Sequence, residues 1–238
     1  MKNYATISDK KAIEDEKPLD DRLEASSIYE QLSKTAEKFP NKNAISFQLK
    51  SGPNDPAETL SWEQLRTEVT KTSNALKAIG INQTDVVAYV LPNCTEAIVS
   101  FLAGSTVGVV CPISPLLSAE QIAGILNEVN AKVVITLKSF PKTDVAQRVD
   151  EALAVANGVS TLIEIDLLRY LKPPMTWLVG LLRPKITRSH NSKIIDFKKF
   201  IDDHSGTDLS FKASEGDQIA GCFHTGGTTG TPKIAQHS

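Results

Sequence analysis

The sequence predicts an α/β protein with a parallel-rich sheet layered between helices. Three observations lead there. Short apolar segments rich in β-branched residues alternate with amphipathic segments of helical period. Such strands carry too few polar residues to leave either face wet, so helices must cover both faces. The last strand-like segment opens directly into a Gly/Thr-rich loop, which is how many α/β folds present a ligand site.

Composition is that of an ordinary globular chain. Its 238 residues are 41% hydrophobic and 23% charged, enough to bury a real core. A formal net charge of -2 argues against nucleic-acid binding, which normally leaves a basic footprint. Cys94, Cys111 and Cys222 are not at metal-ligand spacing, and the four histidines are scattered. The cysteines read as small buried hydrophobes in a reducing compartment, and no metal site is expected.

Residues 1–23 are polar, mixed in charge and without a signal-peptide core, and are expected to form a flexible or loosely docked arm. The rest, 24–238, is expected to form one α/β subdomain. "SSIYEQLSKTAEKFP" predicts a helix with Ile28, Leu32, Ala36 and Phe39 on one face and Pro40 beyond its end. "AISFQLK" and "TLS" predict a hairpin around the turn-rich "SGPNDPAE". "SWEQLRTEVTKTSNALKAIG" is the clearest helix. Ser61 and Gln64 form a capping box, Trp62, Leu65, Val69, Leu76 and Ile79 share a face, and Gly80 supplies the stop.

Alternation follows. "DVVAYVL", "VVCPI", "KVVITL" and "STLIEID" predict strands. "CTEAIVSFLAGSTVG", "SAEQIAGILNEVN" and "DVAQRVDEALAVANG" predict the helices between them, the second opened by a Ser118–Gln121 capping box. The uncharged run Ile98–Leu117 approaches spanning length. Pro112 and Pro115 would break a long helix there, so a buried helix followed by an inner strand fits better.

Residues 167–193 interrupt the rhythm with Pro173–Pro174, Trp177 and leucines between arginines and lysines. The segment reads as an insertion. The simpler expectation is that Trp177 and the leucines pack on the domain; the alternative is a surface that touches lipid. "IIDFKKFIDDH" then predicts a short helix and "QIAGCFHT" a last buried strand. The glycine loop follows with nothing evident to hold its far side, so the tail is expected to be mobile.

The loop, "TGGTTGTPK", suits phosphate. Gly226, Gly227 and Gly230 let backbone N–H groups approach oxygen atoms. Thr225, Thr228 and Thr229 add hydroxyls, Lys233 adds charge, and Pro232 stiffens the turn. It is not a Walker loop, because Pro232 precedes the lysine and Ile234 follows it.

"HTGGTTGTPK" resembles the phosphate loop of the AMP-forming adenylating superfamily, which includes acyl-CoA synthetases, peptide-synthetase adenylation domains and luciferases. The likeness extends over roughly Ser26 to Thr136 and again over Gln218 to Lys233. His224 stands where the family has an aromatic residue, Gly226 where it has serine, and Ile234 where it has glycine. Loss of the serine hydroxyl removes one donor, worth about 1–2 kcal/mol if it bonds phosphate.

The resemblance implies an N-terminal portion of an acyl-CoA synthetase. Such an enzyme uses ATP, Mg2+ and coenzyme A to activate a carboxylic acid, here expected to be a fatty acid, as an acyl-adenylate and then a thioester. By that match Thr225, Gly226, Gly227, Thr228, Thr229, Gly230 and Lys233 contact phosphate. The family's adenylation lysine and magnesium carboxylate lie downstream of this loop, so no catalytic or metal-binding residue is carried onto this chain. The fragment alone is expected to be inactive. The resemblance also implies a cytoplasmic enzyme acting on a small molecule, with peripheral membrane contact through 167–193 left open. Two alternatives stand beside it: a peptide-synthetase-type adenylation domain, and a non-catalytic module that binds a nucleotide or a partner. His224 reads as an aromatic stand-in rather than a catalytic base, and no role is carried onto His237.

Overall fold

The structure, a computed structural model, describes residues 5–50, 52, 55–213, 217–225 and 233–238. It begins with two short helices, α1 (Ile7–Glu14) and α2 (Leu19–Arg22). Thr6 and Asp9 form a capping box on α1, yet none of its residues is buried. Helix α3 (Ile28–Lys38) follows, capped by Ser27 and burying Leu32 and Ala36. Strands β1 (Asn43–Phe47) and β2 (Glu58–Ser61) form the expected antiparallel hairpin. Helix α4 (Trp62–Ala78) starts at the Ser61–Gln64 capping box. It stops at Gly80, whose φ of +94° is one that side-chain-bearing residues rarely adopt.

The rest builds the main sheet. In order come β3 (Val86–Val90), α5 (Thr95–Val107), β4 (Val109–Ile113), α6 (Ala119–Glu128), β5 (Ala131–Leu137), α7 (Val145–Leu153) and β6 (Thr161–Ile165). A 3-10 turn (Leu167–Tyr170) and α8 (Met175–Leu181) precede β7 (Lys193–Asp196), α9 (Phe197–Asp202), β8 (Gly221–His224) and β9 (Ile234–His237). The strand order is β7-β6-β5-β3-β4-β8-β9. Every pairing is parallel except β8–β9.

The sheet divides the interior in two, and side-chain alternation along each strand feeds both halves. Val87, Val133 and Ile135 join a core with Leu65, Val69 and Leu76 of α4, Val99 and Ala103 of α5, and Phe197 of α9. Val86, Ala88 and Val134 join the opposite core with Ile122, Ile125 and Leu126 of α6 and Val149 of α7. Helices α3, α4, α5 and α9 therefore cover one face, and α6 and α7 the other. The run Ile98–Leu117 lies inside this sandwich as α5 and β4. Among the described residues no helix is long and apolar enough to cross a membrane. All three cysteines are free and buried.

Three expectations are corrected. Residues 194–196, expected to start a helix, instead join Lys193 in a strand. Ile194 and Ile195 pair with Leu162 and Ile163 at the sheet edge. Asp196 then caps α9 by accepting the N–H of Lys199 at 3.1 Å. The chain beyond the glycine loop is not a free tail, because β9 turns back and pairs with β8 from His224↔Ile234 to Gly221↔His237. Trp177 does not pack on the domain: it is 73% exposed, since α8 rests on the 3-10 turn and turns its large apolar side chains outward.

Candidate functional site

Because β3 to β8 run parallel, their carboxyl ends share one edge of the sheet. From β3 the chain crosses to one face as α5; from β4, the adjacent strand, it crosses to the other as α6. The connections therefore diverge and leave a crevice beyond the ends of β3 and β4. This is the topological switch point at which open α/β sheets bind ligands. A cavity of about 310 Å3 occupies it, lined by Tyr89, Leu91, Asn93, Pro112, Ser114 and His224. At least four larger cavities lie elsewhere among the described residues, and two of them exceed 600 Å3. One, about 620 Å3, sits at the amino edge beside Thr84, Val129 and Gln218. The other, about 700 Å3, lies beyond β6 between α4 and α9. Size ranks them above the crevice; topology and proximity to the glycine loop favour the crevice.

Strand β8 lies beside β4, with Val110 donating its N–H to the Ala220 carbonyl at 3.0 Å. Its last residue, His224, reaches across the mouth of the crevice, where its Nε2 accepts the Ser114 N–H at 3.3 Å. A backbone amide can only donate, so Nε2 holds a lone pair and the neutral ring carries its proton on Nδ1. Burial lowers the His224 pKa from its ordinary value, which favours this neutral form. The residue acts as a tie between strand ends, as an aromatic stand-in would not, and its Nε2 is already engaged.

The loop starts and ends here. The Thr225 N–H donates to the Lys233 carbonyl at 2.8 Å, and the Thr225 hydroxyl points to the same oxygen at 3.3 Å. These bonds pinch the base of the loop between β8 and β9 at the carboxyl edge. Thr225 and Lys233 are both exposed, and Lys233 has no carboxylate partner among the described residues. The other loop positions named from the sequence, Gly226, Gly227, Thr228, Thr229 and Gly230, lie outside the described residues. Among the described residues no group of three or more His, Cys, Asp or Glu side chains could hold a metal ion.

Sequence reasoning missed Asn93, Ser114 and Tyr89. Their only signal is that they stand at the ends of strands that prove to be neighbours. It also missed a polar clamp beside the second cavity. Arg169 Nε donates to Glu96 at 2.7 Å and its Nη atoms to Glu58 at 2.6 Å. The Tyr170 hydroxyl donates to Glu96 at 2.6 Å, and Thr95 to Glu58 at 2.6 Å. Burial, with the Glu96 charge beside it, pushes the Tyr170 phenol well above its ordinary pKa. The clamp fixes the first turn of α5 to β2 and to the 3-10 turn, and so holds the β3–α5 connection that walls the crevice.

Comparison with known proteins agrees with this architecture. The family model described as "AMP-binding enzyme" matches residues 32–238. The marinolic acid–CoA ligase of Pseudoalteromonas sp. (strain SANK 73390) is 26% identical over 222 residues, covering 93% of this chain and 31% of that protein. The long-chain-fatty-acid–CoA ligase of Bacillus subtilis (strain 168) is 28% identical over 217 residues, covering 85% of this chain and 34% of that one. The chain thus spans about a third of the length of these curated relatives. Two solved structures share the fold. Acetoacetyl-CoA synthetase from Streptomyces lividans gives a TM-score of 0.69 at 20% identity, over 88% of this chain and 30% of that one. The anthranilate CoA ligase AuaEII in complex with anthranoyl-AMP gives 0.67 at 17% identity, over 89% of this chain and 34% of that one. With a family model matched over residues 32–238, the chain belongs to the AMP-binding enzyme family.

Proposed function

We propose that this chain supplies the nucleotide-phosphate loop of an AMP-forming acid–CoA ligase. One observation carries the reading. A loop of glycine, threonine and a single lysine is strung between paired strands at the carboxyl edge, beside the switch-point crevice. In the reaction proposed, a carboxylate oxygen of the acid bonds to the α-phosphorus of ATP and the bond to the bridging oxygen breaks. Pyrophosphate leaves with the electron pair. The sulfur of coenzyme A then attacks the acyl carbonyl and AMP departs. The backbone amides of Gly226, Gly227 and Gly230, the hydroxyls of Thr225, Thr228 and Thr229, and the Lys233 ammonium would face the charge that grows on the leaving pyrophosphate. Fixed donors stabilise such charge without reorganising. No step is assigned to Mg2+, because the described residues offer it no donor set.

The relatives named as CoA ligases support the ligase reading. The name of the Bacillus relative supports a fatty acid as the substrate, and the enzyme would be cytoplasmic. We further infer that the chain by itself holds phosphate without turning ATP over.

Calorimetric titration of the purified chain with pyrophosphate and with ATP tests the assignment. Wild type should bind both, and Lys233→Ala should weaken both by about tenfold or more, the effect of losing one charge-assisted bond. Absence of binding by wild type, or equal binding by the variant, rejects it. AMP release from the purified chain would overturn the inference of inactivity.

A further inference from the structure

Helix α8 leaves the same edge of the sheet as the crevice, through the 3-10 turn that follows β6. Trp177, Leu178, Leu181 and Leu182 are all exposed, Trp177 at 73% and Leu181 at 84%. At helical spacing these four positions fall within an arc of about 140°. Scattered exposed apolar residues are ordinary, but four large ones on one ridge mark a surface that meets something.

Charge says what. Residues 167–193 hold six basic side chains and no acidic one, in a chain of net charge -2. Three of the six are neutralised within the fold: Arg169 by Glu58 and Glu96, Arg183 by Asp166, and Arg188 by Asp150 and Glu164. Lys172 and Lys185 are exposed and have no carboxylate partner among the described residues. They stand just before and just after α8, so they bracket the ridge. Apolar side chains that include tryptophan, flanked by lysines whose long stems let the charge reach head groups, fit the boundary layer of an anionic bilayer.

We propose that α8 is a peripheral docking ridge for an anionic lipid surface. Trp177, Leu178, Leu181 and Leu182 enter the acyl boundary, and Lys172 and Lys185 pair with lipid phosphates. This does not depend on the nucleotide reading. It would set the crevice edge of the sheet toward the membrane.

Co-sedimentation of the purified chain with phosphatidylglycerol vesicles, and separately with phosphatidylcholine vesicles, tests it. Binding is expected to phosphatidylglycerol far more than to phosphatidylcholine. The double variant Trp177→Ser, Leu181→Ser should lose it, and Lys172→Glu or Lys185→Glu should each weaken it roughly fivefold or more. All four side chains are exposed, so circular dichroism should show each variant folded. No binding to phosphatidylglycerol, or unchanged binding by the serine pair, overturns the proposal. So does a dimer in sedimentation velocity that the serine pair dissolves, because the ridge would then belong to a second copy of the chain.

Discussion

His224 and Ser114 join strand ends that are 110 residues apart in the chain, through a single bond from a backbone amide to a ring nitrogen. The bond exists only while Nε2 is unprotonated. Burial depresses the pKa of His224 below its ordinary 6.5, so the stability it adds is complete above that value and is lost as pH falls through the folded pKa. His224→Phe keeps the ring and removes the acceptor. It should lower stability by about 1 kcal/mol at pH 8. The gap to wild type should narrow as pH is lowered toward 5. Urea denaturation at several pH values measures this, and a gap that does not change with pH would show the tie is immaterial.

Arg169 stands over the Tyr170 ring, 4.4 Å from its centroid, and neutralises Glu96, whose side chain is 6% exposed. Arg169→Met would leave that carboxylate buried without its cationic partner. Truncating one side of a buried pair costs about 3–5 kcal/mol, and the partial exposure of Arg169 should bring the loss to about 2 kcal/mol. Adding Glu96→Gln should recover part of it. A double-mutant cycle by chemical denaturation gives the coupling; strictly additive losses would mean that the pair does not act as a unit.

Two glycines should respond in opposite directions. A Cβ on Gly108 would lie 2.5 Å from the Asp85 carbonyl oxygen and 2.8 Å from that of Asn82. Both are backbone atoms that cannot swing away. Gly108→Ala should destabilise by about 1–3 kcal/mol. A Cβ on Gly124, exposed in α6, meets nothing within 4 Å. Gly124→Ala should stabilise by up to about 1 kcal/mol, through helix propensity alone. Thermal denaturation of the two variants should move the midpoint down and up respectively.

Burial pushes the Cys94 and Cys111 thiols up to about 12, and raises Cys222 as well. Thiolate is the reactive form, so the native protein should resist iodoacetamide at neutral pH and take up three labels once denatured. Mass spectrometry of the native protein reads this directly. Rapid labelling of Cys94 or Cys111 would contradict the packing described.

The sequence showed its local structure far better than its long-range order. Strands such as β3 and β5 stood out because both of their faces are buried, which forces β-branched apolar residues. The capping boxes at Ser61 and Ser118 stood out because they are satisfied within four residues. Strand β7 was missed because Ile194, Ile195 and Asp196 run straight into Phe197 and read with it as one helix. Strand β9 escaped because an edge strand needs no apolar run, and Ile234–His237 is half polar. The family was legible from the order of the loop's residues. The crevice beside the loop was not, because Asn93, Ser114 and His224 meet only through the strand order, which depends on pairings across many tens of residues. Arg169 and Glu96 were hidden for the same reason, and Trp177 was misplaced because an apolar residue usually packs inward.

The outermost described strand at this end of the sheet, β9, is also the one that closes the loop. Its rim carries main-chain donors and acceptors that no further described strand satisfies, the kind of border to which another extended segment readily zips. Any such segment would grip the returning arm of the hairpin, and with it the carbonyl of Lys233 that Thr225 holds. Tension or slack applied at that border would pass directly to the bond that closes the base of the glycine loop.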